Sequence, residues 1–430
     1  MDVIKRLKDA GFEGYLVGGA VRDMLLNRPT KDWDYATNAP PDKIQEIFPE
    51  ANYDNAFGTV SIVTDEGLFE ITPFRKEGKY SDGRHPDTVI WANTLEEDLA
   101  RRELTISAMA FDGKTIIDPY HGREDLKNRI VRAVGTPDDR YKEDALRMIR
   151  AVRIATQLGL VIEEKTFAAI KTNAKLLEKI SGERIRDELE KILVSDFPAD
   201  GIRLLLNAGL LQIIFPELTR GADMKQPGHH IYDVLTHSIK SLEACQNKNW
   251  IVRLAALLHD VGKPATYKLR DGKPTYYSHE TVGAAIARDI ANRLHFKKED
   301  REKLWTLVRW HMFSVSEFIT DAAVRRFIRR VGAENTTDML DVRTADRVGS
   351  GTPATSWRHE DFKRRIIKVQ QHIPSVNDLA VDGTDVMKIL SIPPGPKIGK
   401  VLKILFDEIM EDISKNNREY LLKRVSSMSS

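Results

Sequence analysis

The sequence predicts an α+β protein: a small mixed α/β head followed by an all-helical neck, body and tail. Three observations carry that expectation. Up to about residue 140, strand and helix signals mix, with a strand–turn–strand pattern over Thr59-Val60-Ser61-Ile62-Val63, Asp65-Glu66-Gly67 and Phe69-Glu70-Ile71-Thr72. From Tyr141 to about Leu206, apolar residues recur three and four apart, as at Leu146, Ile149, Val152 and Ala155. From Gln226 onward the chain reads as helical and rich in histidine. The 430 residues suffice for about three ordinary domains. The expected segments are a head at 1–140, a neck at 141–225, a helical domain at 226–370 and a helical tail at 371–430.

Composition narrows the class. Hydrophobic residues make up 41% of the chain, enough to build cores, and the net charge is only +2. The chain as a whole is therefore no basic coat for nucleic acid, and any RNA contact must use local patches. The single cysteine, Cys245, excludes an intramolecular disulfide. Residues 1–12 read as an amphipathic helix with Ile4, Leu7 and Ala10 apolar, and lack the apolar core of a signal peptide. No apolar run is long enough to span a bilayer. A cytoplasmic protein without membrane attachment is expected, and the sequence sets no oligomeric state.

In the head, Tyr15-Leu16-Val17 leads into Gly18-Gly19-Ala20-Val21-Arg22-Asp23, which reads as a strand, a tight turn and a helix start. Glycines let backbone approach a ligand closely, and helix N-terminal N–H groups favour phosphate. Asp32 and Asp34 follow at i and i+2, a spacing that puts both carboxylates on one face of a strand. Hard cations such as Mg²⁺ bind one or two carboxylates together with substrate phosphates. These parts point to metal-assisted transfer from a nucleoside triphosphate.

The arrangement resembles the nucleotidyltransferase head of class II CCA-adding enzymes (tRNA nucleotidyltransferases) and bacterial poly(A) polymerases. The resemblance implies that the Gly-Gly segment, with Gly19 and Arg22, holds the incoming triphosphate, and that Asp32 and Asp34 hold the metals that activate the primer 3′-hydroxyl. Glu70, on the neighbouring hairpin strand, is a third candidate carboxylate. Arg101-Arg102-Glu103-Leu104-Thr105 is similar to the family's Arg-Arg-Asp-x-Thr, and Arg102 would grip phosphate with its guanidinium fork. Glu103 departs from the usual Asp by one methylene. Asp118-Pro119-Tyr120 resembles the next family segment and reads as a hinge or brace.

Glu143-Asp144-Ala145-Leu146-Arg147 opens a helix, and its i, i+3 spacing puts Asp144 and Arg147 on one face. Such a pair is ordinarily a surface ion pair of little energetic weight. It can also read a base. Cytosine and adenine present an exocyclic amine beside a ring-nitrogen acceptor, which a carboxylate and a guanidinium complement. Guanine and uracil present a carbonyl and an N–H there, and buried mispairing of that kind rejects a substrate strongly. In the family this motif is the amino-acid template, and Arg150 and Arg153 help hold the nucleotide. Residues 74–86, charged and glycine-containing, resemble the loop carried by members that complete the CCA end. Arg184, Arg186 and Glu188 match the family's neck and read as structural support.

The histidine-rich region contains His237, His259-Asp260, His279, His311 and Asp346. Imidazole with carboxylate suits a divalent transition metal or Mg²⁺. The pattern resembles the HD phosphohydrolase superfamily. By that resemblance His237, His259, Asp260 and Asp346 hold one metal, and His279 and His311 complete a second site able to activate water against a phosphoester. The tail carries Lys397, Lys400, Lys403, Lys415, Arg418, Lys423 and Arg424, a set suited either to a solvated helix face or to a phosphate backbone. Residues 379–399 resemble the family's tRNA-contacting tail.

The resemblance thus implies template-free addition of C, C and A to the 3′ end of tRNA from CTP and ATP, with Mg²⁺ in the head and a second divalent or transition metal in the HD-type domain. The alternatives are an A-adding enzyme or poly(A) polymerase, an HD-type RNA-end phosphohydrolase, and a non-catalytic RNA-binding protein.

Overall fold

The computed structural model describes residues 2–30, 32–54, 58–77, 89–226, 231–313, 315, 319–370 and 375–428. The chain divides into two units, one formed by residues 1–220 with 289–297 and the other by 221–288 with 298–430.

The first unit opens with a helix over Val3–Asp9, shorter than the sequence suggests. Asp2 caps it by accepting from the Lys5 N–H at 3.0 Å. The head sheet includes β1 (Gly14–Val17), β2 (Asp32–Thr37), β3 (Asn52–Asp54), β4 (Thr59–Thr64) and β5 (Gly67–Pro73). Its order is β3-β4-β5-β2-β1, continued by short strands at Ala110–Phe111 and Ile116–Ile117. The expected hairpin is the antiparallel pair β4–β5, and β5 then runs parallel to β2 with Asp34 beside Glu70. Val17, Ala36, Phe74, Leu95, Leu99 and Ala110 form a buried cluster on one face of the sheet. Ala36 of that cluster lies on the same face of β2 as Asp32 and Asp34, so this face is polar where the strand begins and apolar where it ends.

The helical pattern from Tyr141 resolves into helices at Leu146–Leu158, Glu164–Asn173, Gly182–Leu193 and Pro198–Asn207. The first buries Met148, Ile149, Ala151 and Val152 against its neighbours. Asp144 precedes that helix. It has an extended backbone (φ −146°, ψ 109°), where the sequence spacing suggests helix. The preceding helix, Pro137–Glu143, stops one residue short of it.

The second unit is helical. Asp233 caps the helix Val234–Ala244 through the Thr236 N–H at 2.6 Å, and Asn249 caps Trp250–Leu258. Those helices pack with Lys298–Trp310 and Thr336–Gly349. The tail helices Gly383–Leu390, Pro396–Glu411 and Arg418–Ser426 share a core of Val386, Leu405, Ile409, Leu421 and Val425. The break between the first two falls at Pro393-Pro394-Gly395, as the imino residues dictate. Among the described residues no helix is long and apolar enough to cross a membrane. Of the charged segment 74–86, Arg75–Glu77 pairs as a strand with Val89–Trp91, and residues 78–86 lie outside the described residues.

Candidate functional site

The head gathers carboxylates beside an arginine. Asp32 and Asp34 share a face of β2, and the parallel register sets Glu70 of β5 next to Asp34. Burial pushes the Asp34 carboxyl above its ordinary range and Asp32 adds to that, against the pull of Arg102. Glu70 is likewise raised by burial, then by Asp34 and Asp32. Three carboxylates that repel one another in a partly dry place fit a divalent cation, whose charge would relieve the repulsion.

Gly18 ends β1 at φ +74°, a left-handed conformation that side chains disfavour. A Cβ there would meet Arg102 Nη1 at 2.8 Å and Asp34 Oδ2 at 3.4 Å. The missing side chain is therefore what lets strand end, carboxylate and guanidinium converge. Arg102 is steadied from behind by Asp98, 3.2 Å away, which Arg101 also grips. Gly19 begins the helix Gly19–Leu25, and Arg22 on that helix pairs with Asp23 at 2.8 Å.

Glu103 links the head to the neck helix. Its Oε1 lies 3.2 Å from Arg150 Nη2. Burial would raise its pKa, but Arg150, Arg147 and Arg102 together hold it down to about 2. The extra methylene relative to Asp thus ends on a firm ion pair. Arg150 is in turn among the charges felt by Asp34.

Asp144 and Arg147 are both buried, and the Arg147 N–H donates to the Asp144 carbonyl at 3.1 Å. Asp144 accepts from the Leu146 N–H at 3.0 Å and from both terminal nitrogens of Arg184, at 3.3 and 2.6 Å. Arg147 pairs with Glu143. Arg153 pairs with the buried Glu188, Nε to Oε2 at 2.5 Å, and with Gln157 at 3.0 Å. Arg184 and Glu188, read from sequence as neck support, therefore hold two of the candidate nucleotide-site residues. Forty residues of separation leave no local signal for such a pairing.

The second unit brings together all six of its candidate ligands. Helix Val234–Ala244 carries His237, Trp250–Leu258 delivers His259 and Asp260, His279 heads its helix, His311 follows Trp310, and Thr336–Gly349 carries Asp346. His237 Nε2 lies 3.1 Å from His259 Nε2, 3.4 Å from Asp260 and 3.2 Å from Asp346. On the other side of Asp260, His279 Nε2 lies 3.3 Å from Oδ1 and 3.3 Å from His311 Nε2. Two ligand groups result, His237–His259–Asp260 and Asp260–His279–His311, with Asp260 common to both.

The outer nitrogens fix the tautomers. Nδ1 of His259, His279 and His311 each lies 2.8–2.9 Å from a backbone carbonyl, of Ala256, Tyr276 and Val308. A carbonyl can only accept, so each Nδ1 carries a proton, and in the neutral ring Nε2 turns a lone pair inward, the form that binds metals. Burial disfavours charge on His259, but Asp260 and Asp346 outweigh it and hold its pKa up to about 10, so with these carboxylates and no cation its Nε2 is protonated as well, a proton that a bound cation would displace. Burial and the His259 charge push His311 down to about 3. Gly262 lets this turn sit against the start of the His279 helix: a Cβ there would lie 2.1 Å from the His279 carbonyl oxygen. Lys263 holds Asp260 Oδ2 at 2.5 Å and Gln226 at 2.6 Å. His259, Asp260, His279, His311 and Asp346 line a cleft of about 710 Å³.

Comparison with known proteins matches the segments that carry both clusters. The Poly A polymerase head domain matches residues 14–132, and a probable RNA and SrmB-binding site of polymerase A matches 159–221. An HD domain matches 229–350, and a putative tRNA nucleotidyltransferase domain 2 matches 316–425. The CCA-adding enzyme of Geobacillus stearothermophilus is 32% identical over 421 residues, covering 97% of this chain and 94% of that one. The CCA-adding enzyme of Ligilactobacillus salivarius is 33% identical, covering 100% and 96%. Among solved structures, the Bacillus stearothermophilus CCA-adding enzyme in complex with CTP aligns with a TM-score of 0.73 at 30% identity, over 99% of this chain and 95% of that one. The Thermotoga maritima CCA-adding enzyme complexed with tRNA aligns with a TM-score of 0.60 at 19% identity, over 99% and 93%, which speaks for the fold.

Proposed function

This chain belongs to the family of CCA-adding enzymes, and from that premise we propose how its residues extend the 3′ end of tRNA by C, C and A. It is a tRNA nucleotidyltransferase, with tRNA, CTP and ATP as substrates. The observation that carries the residue account is the convergence of Asp32, Asp34 and Glu70 beside Arg102 at the side-chain-free Gly18.

The family implies a divalent metal. In this reading it is Mg²⁺, held by Asp32 and Asp34 with Glu70 at the edge. Bound there, Mg²⁺ supplies the positive charge that acidifies the primer 3′-hydroxyl and steadies the triphosphate. Gly19, Arg22 and Arg102 hold the triphosphate. Asp144 accepts from the exocyclic amine of cytosine or adenine, and Arg147 donates to the ring nitrogen beside it. Arg184 keeps the Asp144 carboxylate oriented while leaving lone pairs to accept with. Arg150 and Arg153, anchored by Glu103 and Glu188, support the same site. The 3′ oxygen bonds to the α-phosphorus and diphosphate leaves.

The division into head at 1–140, neck at 141–225, HD-type domain at 226–370 and tail at 371–430 is part of this account. So is a cytoplasmic location, which the lone buried Cys245 supports. A second reading concerns the His–Asp cluster. His237, His259, Asp260 and Asp346 hold one divalent ion, and His279 and His311 with Asp260 hold another. The Nδ1 contacts of three histidines to backbone carbonyls, which leave Nε2 as the ligating atom, favour this. Such ions generate a nucleophile from water and suit a phosphoester.

The test is incorporation of CTP by D34N and D32N across a Mg²⁺ titration. Both variants should lose at least a hundredfold in rate at every Mg²⁺ concentration. Rates equal to wild type would refute the assignment.

A further inference from the structure

Beside the His–Asp cleft lies a second cavity, of about 520 Å³, whose wall includes Phe313, Trp357 and Arg358. Arg343 and Arg347 line both cavities. The HD-type reading does not use this second cavity. Its chemistry is cationic and aromatic. Trp357 is 60% exposed, with the Arg358 guanidinium 5.3 Å from its ring, so one face is held by a cation–π contact and the ring stays accessible. Arg347 spends only its Nε, on the Pro353 carbonyl at 3.2 Å. Among the described residues no carboxylate pairs with Arg347 or Arg358. Arg343 reaches Asp346 at 2.8 Å, so the shared wall is tied to the candidate metal centre. Across the first cleft Tyr277 is 69% exposed, and Arg270 lies 5.0 Å from its ring.

We propose that a single-stranded nucleic acid docks here. Its terminal phosphoester lies in the His–Asp cleft, the next phosphate lies at Arg343 and Arg347, and an unpaired base stacks on Trp357. Arg347 and Arg358, without carboxylate partners among the described residues, complement a phosphodiester chain beside the Asp346-paired Arg343, and an accessible indole offers sequence-independent stacking. A chain that carries both phosphate and base matches a wall that carries both guanidinium and ring. A single phosphate ester would occupy the first cleft and leave Trp357 unused. Duplex is excluded from this mode, because its bases are stacked on one another. The proposal rests on reading the His–Asp cluster as a phosphoester-binding metal centre.

The test uses the full chain with a ten-nucleotide single-stranded RNA bearing a 3′-phosphate and a 4-thiouridine next to its end. Irradiation should crosslink it to the segment 347–363. W357A should abolish that crosslink, and W357A and R347A should each weaken binding about tenfold. The same strand annealed to its complement should not crosslink there. Metal content of wild type and H259A is measured on the same preparations. Crosslinks confined to other segments, or variants that bind like wild type, would overturn the docking proposal even where metal is present. Metal content indifferent to His259, with the crosslink intact, would overturn the metal-centre reading alone.

Discussion

Arg184 closes its guanidinium on Asp144, with Nη2 at 2.6 Å from Oδ2 and Nη1 at 3.3 Å from Oδ1. In the proposed reading this carboxylate accepts from a base amine, and Arg184 fixes it before any nucleotide arrives. Preorganised polar groups discriminate because a wrong partner leaves them unpaired in a dry place. R184A should therefore lower kcat/KM for CTP roughly 10- to 100-fold, the scale of a lost charged hydrogen bond. It should also narrow the preference for CTP over UTP. R184K should recover part of the preference. Single-nucleotide incorporation kinetics with CTP and UTP provide the check.

Gly18 predicts a different signature. A Cβ at φ +74° is strained by about 1 kcal/mol and points at Arg102 and Asp34. G18A should remain folded by circular dichroism yet lose CTP and ATP incorporation together, by more than about tenfold. Loss of only one nucleotide would place Gly18 outside the shared triphosphate and metal region.

Glu70 tests the third carboxylate. Removing its charge weakens attraction for a cation and eases the repulsion on Asp34. E70Q should need several-fold more Mg²⁺ for half-maximal rate while retaining base preference. A Mg²⁺ titration with an unshifted midpoint would assign Glu70 to packing.

Glu103 carries a pH dependence. Its folded pKa, held down to about 2, lies below the ordinary 4.5. The native state therefore favours the ionised form, and the contribution to stability is present above about pH 4.5 and lost as pH falls through 2. E103Q should be less stable than wild type near neutrality, by on the order of 2 kcal/mol. Urea unfolding at pH 7 and at pH 3 should show that gap shrinking at the lower pH.

The sequence made some of this legible and hid the rest for physical reasons. Alternation along a strand put Asp32 and Asp34 on one face because the strand period of two is strict. The histidine set was visible because its residue types are rare and chemically distinct. The adjacency of Glu70 to Asp34 is set by the parallel register of β2 and β5, a long-range property that spacing along one strand does not carry. Asp144 was read onto a helix face because its spacing to Arg147 fits one, whereas the helix begins only at Leu146. The partnership of Asp144 with Arg184, and of Arg153 with Glu188, depends on how two helices pack, and spacing carries no trace of it.

The most direct measurement is extension of a tRNA transcript that ends before its CCA, with labelled CTP and ATP supplied singly and together in Mg²⁺. The account predicts two C additions from CTP alone, and C, C and a single A from the mixture. Addition of A alone to a CC-ended transcript, or long A tails, would contradict it. So would no extension together with metal-dependent loss of a terminal phosphate.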